Sequence, residues 1–191
     1  MAGRSARRES FAERRERRAA VDDPAVVLEA AARFLETRSR SVAEVRRRLG
    51  GAGYQAALVE AAIIRLTDLG MLDDQAFARA WVESRDRARP RGERAIREEL
   101  RVKGVDRPTA DLILAERRAA ALETVGDEPA TSADRSAAER LLAKHSRALE
   151  RVADARQRRQ RAYALLARHG FDPETCSTLA ARVAAAPLDE D

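Results

Sequence analysis

Cysteine is nearly absent from this chain. The one present, Cys176, excludes an internal disulfide framework and any zinc cluster built on cysteines. The two histidines, His145 and His169, stand 24 residues apart and have no metal-ligand spacing. Aromatics are only 4% of the residues and alanine is abundant, so side-chain volume for a core is scarce. Several thin helical cores fit this composition better than one thick core. No run approaches the ~18 apolar residues of a membrane span, and the charged N-terminus lacks the apolar segment of a signal peptide. The expectation is a soluble, cytoplasmic protein with no membrane association. No P-loop, GxGxxG, GxSxG or HExxH is found. The adjacent pair Asp73-Asp74 is the one tempting carboxylate constellation, and capping of a helix start accounts for it. The expectation is therefore a non-enzyme with no catalytic residue, metal or cofactor.

Lysine is almost missing as well. Lys103 and Lys144 are the only two among 37 basic residues, the rest being arginine. A formal charge of +5 and a pI near 10.2 favour an anionic partner, nucleic acid or an acidic protein surface. So strong a bias from lysine to arginine also reflects composition, and it puts many of these residues on plain solvated faces.

What is abundant is Ala, Leu, Arg and Glu with few β-branched runs, which favours helix throughout. Residues 1–22 hold seven Arg against three Glu and almost no sizeable apolar residue, so they read as a disordered or transiently helical basic arm. Asp23-Pro24 then starts a helix, with Asp as N-cap and Pro at the first position. Ser41-x-x-Glu44 has capping-box spacing for a second helix, which Gly50-Gly51-Ala52-Gly53 ends. A third helix runs over about Gln55–Leu69. The order recurs from Asp73/Asp74 through a helix carrying Phe77, Ala78, Trp81 and Val82, an interruption at Pro90 and Gly92, a helix with Ile96 and Leu100, and a third helix opened by Asp106. After a turn-rich linker, a long helical stretch carries Ala138, Leu141, Leu142, Leu149 and Val152, becomes basic at Arg156–Arg161, and leads to Gly170. Asp172-Pro173 starts the last helix.

Gly53, Gly104 and Gly170 set the register of a repeat. Four residues before each stands Leu49, Leu100 or Leu166; eight before, Val45, Ile96 or Ala162; one after, Tyr54, Val105 or Phe171; two after, Gln55, Asp106 or Asp172. The glycines lie 51 and 66 residues apart, so the linkers differ while the helix–turn–helix core does not. The expected architecture is all-α: three tandem three-helix, helix-turn-helix-like repeats in an elongated, curved array. The divisions are 1–22 (arm), 23–70, 71–124, 125–131 (linker), 132–186 and 187–191 (acidic tail).

Between positions 85 and 103 eight cations, Arg85, Arg87, Arg89, Arg91, Arg94, Arg97, Arg101 and Lys103, face four acids. A second cluster is Arg156, Arg158, Arg159 and Arg161. Base-edge readout needs Arg, Asn or Gln on the third helix of each unit, and those helices are poor in them. The basic residues gather on first and second helices and their elbows, which suits phosphate backbones or an acidic protein groove. These twelve residues are the candidate contact surface.

The pattern L72-D73-D74-x-x-F77-A78-x-x-W81-V82-x-x-R85, followed by I96-x-x-E99-L100-x-x-K103-G104-V105-D106, resembles the central repeat of the RecX family. S41-x-x-E44-V45-x-x-x-L49-x-x-x-G53-Y54 resembles its first repeat, and L166-A167-R168-H169-G170-F171 its third. The resemblance implies a monomeric, non-enzymatic regulator that binds RecA and its filament on single-stranded DNA. Such a regulator dampens recombinase, ATPase and co-protease functions in DNA repair, recombination and the SOS response. It carries over Phe77, Trp81, Ile96 and Leu100 as core. The alternative is a sequence-nonspecific helical protein bound to single- or double-stranded DNA phosphates with no dedicated protein partner.

Overall fold

The computed structural model describes residues 9–123 and 133–185, and every regular element among them is a helix. In order these are α1 (Phe11–Ala19), α2 (Pro24–Leu35), α3 (Val42–Ala52), α4 (Ala56–Asp68), α5 (Asp74–Ala88), α6 (Glu93–Lys103), α7 (Arg107–Glu123), α8 (Ala133–Lys144), α9 (Ser146–Glu150), α10 (Ala155–Arg168) and α11 (Pro173–Ala185). The linker read at 125–131 and the acidic tail at 187–191 lie outside the described residues. The chain forms two compact units: residues 1–77 with 103–105, and residues 78–102 with 106–191.

The first unit is built on α2, α3 and α4. Val27, Ala31, Val45, Leu49, Val59, Ala62, Ile63, Leu66 and Leu72 form its core. These are the positions at helical spacing that one face must bury. Ser41 caps α3 through the box with Glu44, and its hydroxyl also donates to Lys103 O at 2.6 Å. Asp73 caps α5 by accepting from Gln75 N and Ala76 N. Its neighbour Asp74 turns elsewhere and accepts from Val42 N at 2.9 Å. The two carboxylates thus satisfy the orphan donors of two different helices.

Residues 11–19, inside the basic arm, form α1. Ser10 and Glu13 make a reciprocal capping box. Nothing in α1 is buried. Polar contacts hold it: Gln55 Nε2 donates to Ala19 O and Val21 O, and Arg18 lies 5.7 Å from the centre of the Tyr54 ring.

In the second unit Ala137, Ala138, Leu141, Leu142, Leu149, Ala162, Leu165, Leu166, Phe171, Cys176, Leu179 and Ala180 form one core. The long helical stretch read before Gly170 is three helices. Asp154 accepts from Gln157 N and restarts the chain as α10, so this part of the chain carries four helices where three were expected. Asp134 accepts from Glu93 N at 3.0–3.1 Å, the counterpart of Asp74 on Val42. Trp81, expected in the core, is only half-buried.

Glycine is required where helices press on turns. Gly104 has φ +84° and Gly170 φ +82°. A Cβ at Gly104 would collide with the Ala43 side chain, and one at Gly170 with Ala95. Each glycine therefore lies against the first turn of a preceding helix, α3 or α6. Gly50, inside α3, has open space around a Cβ. Gly104→Ala is expected to lower unfolding free energy by about 1–3 kcal/mol from backbone strain alone, with the collision adding to it. Gly50→Ala should raise it by about 0.5–1 kcal/mol. Urea unfolding of both variants checks the pair.

Candidate partner and nucleic-acid interface

The basic stretch from Arg85 to Lys103 divides into residues paired within the fold and residues exposed to solvent without a close carboxylate. Arg85 lies 4.2 Å from the centre of the Trp81 ring, a cation–π distance, and pairs with Glu99 at 2.5 Å. The same carboxylate oxygen accepts from Trp81 Nε1 at 2.8 Å, which explains why the indole stops at the surface. Arg91 joins this group, 3.6 Å from Glu99. Arg97 bridges Glu93 at 2.7 Å and Asp111 at 3.0 Å. Lys103 pairs with Glu44 at 2.9 Å. Arg101 pairs with Glu98 three residues away in full solvent. Arg87 is exposed and only 4.0 Å from Glu83. Arg89 and Arg94 are exposed and have no carboxylate partner among the described residues.

The second cluster divides in the same way. Arg158 is 5% exposed; its guanidinium donates to Val152 O at 3.1 Å and Ala184 O at 2.9 Å. It ties the start of α10 to the end of α11 and is used inside the fold. Arg156, Arg159 and Arg161 are exposed, with no carboxylate partner among the described residues.

Some residues that bear on the site had no sequence signal. Arg117 on α7 is buried, donating to Asp86 at 2.9 Å and Asp134 at 2.6 Å. It anchors α5, α7 and α8 around one guanidinium. Lys144 and His169 come together with Arg89 and Arg91 around a cavity of about 230 Å³. Lys144 Nζ donates to Ala88 O at the end of α5, where a cation offsets the helix dipole. Among the described residues no group of three His, Cys, Asp or Glu could hold a metal ion, and no helix is long and apolar enough to cross a membrane.

Residues 28–66 match the family model of the first three-helix domain of RecX, and residues 73–114 that of the second. The regulatory protein RecX of Mycobacterium leprae is 33% identical over 154 residues, an alignment covering 80% of this chain and 83% of that protein. The chain belongs to the RecX family. The RecX of Mycolicibacterium vanbaalenii is 42% identical over a shorter stretch, 44% of this chain and 45% of that one. The crystal structure of RecX from Lactobacillus salivarius superposes with a TM-score of 0.65 at 20% identity, covering 85% of this chain and 97% of that one. A second RecX crystal structure gives 0.64 at 21% identity, covering 80% and 68%. At these identities the two structures speak for the fold alone: all-α, with RecX three-helix domains.

Glu44, Glu93, Glu98 and Asp111 in the paired set all titrate below their ordinary values, and the first two are partly buried. Burial alone would push Glu44 up, but hydrogen bonds from Lys103 and Arg38 outweigh it and hold the carboxyl below its ordinary value. Burial likewise opposes ionisation of Glu93, and Arg118 and Arg97 outweigh it there. A carboxyl that titrates lower when folded stabilises the fold fully above its unfolded value of about 4.3. That stability is lost as pH falls through the folded value. Urea unfolding is thus expected to show a flat midpoint near neutrality and a loss below about pH 4, with the loss reduced in Glu44→Gln. Arg117→Met removes the buried partner shared by Asp86 and Asp134 and should cost about 1–3 kcal/mol, whereas Arg101→Met leaves the midpoint unchanged. Denaturation of both variants at neutral pH checks this.

Proposed function

We propose that this protein is a non-enzymatic, monomeric cytoplasmic regulator that binds RecA and the RecA filament on single-stranded DNA. It restrains the filament's recombinase, ATPase and co-protease activities, and so acts in DNA repair, recombination and the SOS response. Membership of the RecX family is the observation that carries this reading. The charge distribution supports it, because a regulator of a DNA–protein filament needs cations that its own fold has not consumed. Arg87, Arg89 and Arg94 on one element pair, and Arg156, Arg159 and Arg161 on α10, meet that requirement. Arg85, Arg97, Arg158 and Lys103 work inside the fold, and their removal would act through stability.

The test is the single-stranded-DNA-dependent ATPase rate of RecA, titrated with this protein in physiological salt. Inhibition well below one protein per RecA is expected, as for a block to filament growth. Arg89→Glu with Arg94→Glu should raise the concentration needed several-fold while circular dichroism stays unchanged. Full inhibition by the double variant would remove the elbow from the contact surface. No inhibition by the folded wild type even in excess would transfer the reading to sequence-nonspecific DNA binding, which the charge on α10 favours in its own right.

A further inference from the structure

The arginines of α10 stand in a stretch without acids. From Ala155 to Phe171 there are five arginines and no acid, and the whole chain's formal excess is also +5. Many arginines elsewhere find carboxylates on their own or a neighbouring helix, such as Arg46 with Glu60, Arg79 with Glu116, and Arg97 with Glu93 and Asp111, although Arg89 and Arg94 do not. Arg156, Arg159, Arg161 and Arg168 are exposed and have no carboxylate partner among the described residues. No carboxylate of the described fold pairs with them, which leaves them open to solvent or to an anionic ligand.

The face also carries an aromatic ring. Arg158, Ala162, Leu165 and Leu166 point into the core. On the outer side Arg156, Arg159, Gln160 and Tyr163 fall at i, i+3, i+4 and i+7, which places them along one stripe of the helix. Tyr163 is 39% exposed. The rise from Arg156 to Tyr163 is about 10 Å, a span that fits successive phosphates of an extended strand and one of its bases. Basic groups that track a backbone, with an exposed ring on which a base can stack, are the parts of a single-strand binding surface. An acidic protein groove would also use the arginines and can pack on a tyrosine, so preference for a base-bearing strand over an abasic one is what separates the two.

We propose that the outer face of α10 is a single-stranded nucleic-acid site in which Arg156 and Arg159 hold phosphates and Tyr163 stacks on a base. It deepens the reading above, on which the protein meets the DNA of a filament, by naming the strand contact. Its test omits RecA, so its failure and that of filament regulation are distinguishable.

The experiment is fluorescence anisotropy of the full chain with a labelled short oligo(dT) and with an abasic oligonucleotide of the same length and charge. The wild type should bind oligo(dT) about 5-fold or more tightly than the abasic strand, the effect of one stacked base. Tyr163→Ala should erase that preference and Tyr163→Phe retain it. Arg156→Ala with Arg159→Ala should weaken both strands alike and lower the slope of log affinity against log salt by about 0.7 for each phosphate that is no longer neutralised. Equal wild-type affinity for the two strands would overturn the stacking role without any substitution being made. An unchanged salt slope in the folded double-arginine variant would overturn the site. Displacement of oligo(dT) by polyglutamate as readily as by unlabelled oligo(dT) would also overturn it, pointing to an acidic protein surface instead.

Discussion

The fold depends on helices coming close enough to turns that no side chain fits between them. Gly104 lies on Ala43 and Gly170 on Ala95, each at a positive φ. The approach brings hydrogen bonds with it: Ser41 Oγ reaches Lys103 O, and Gly92 N reaches His169 O at 3.0 Å. In both units a carboxylate from the start of the next first helix completes the arrangement, Asp74 on Val42 N and Asp134 on Glu93 N. A helix N-terminus leaves four donors without partners. Here part of that need is met from outside the helix, so the joint between neighbouring elements is specified by hydrogen bonds as well as by apolar contact. A chain with few aromatics needs such joints, because burial of Ala and Leu alone stabilises little per residue.

The arginines follow from the same scarcity. With so little apolar volume, long basic side chains take structural roles: Arg117 gathers Asp86 and Asp134, Arg158 holds two carbonyls, and Arg85 covers Trp81 while pairing with Glu99. Surface ion pairs of this kind add little individually; the partly buried ones fix geometry. Arg89 and Arg94 beside the elbow, and Arg156, Arg159 and Arg161 on α10, are among the arginines left exposed without a carboxylate partner among the described residues.

The sequence made the helices legible because their signals are local. Asp23-Pro24, Ser41-x-x-Glu44 and the glycines at Gly53, Gly104 and Gly170 are capping chemistry, readable without a structure. Family membership was legible from the Leu72–Arg85 and Ile96–Asp106 patterns. Ser10-x-x-Glu13 carried the same capping-box spacing as Ser41-x-x-Glu44 but was hidden by the charge around it. The breaks that create α9 and the start of α10 were masked by a run of good helix formers, although Asp154 was an available cap. The division of the arginines was not legible at all. Whether Arg97 meets Asp111, or Arg158 meets Ala184 O, depends on partners 14 and 26 residues away. No window along the chain contains that information, and Tyr163 likewise gives no sign in the sequence of facing outward.

The proposed binding surface rests on a division between arginines paired or buried in the fold and arginines exposed without a carboxylate partner among the described residues. The direct measurement is the set of arginine Nε–H resonances of the 15N-labelled protein, with and without a single-stranded oligonucleotide. Arg85, Arg97, Arg117 and Arg158 should give slowly exchanging signals in the free protein that do not move on binding. Arg156 and Arg159 should exchange with water when free and become visible when bound. Shifts confined to the first group, or protection of Arg156 and Arg159 before any ligand is added, would contradict the division.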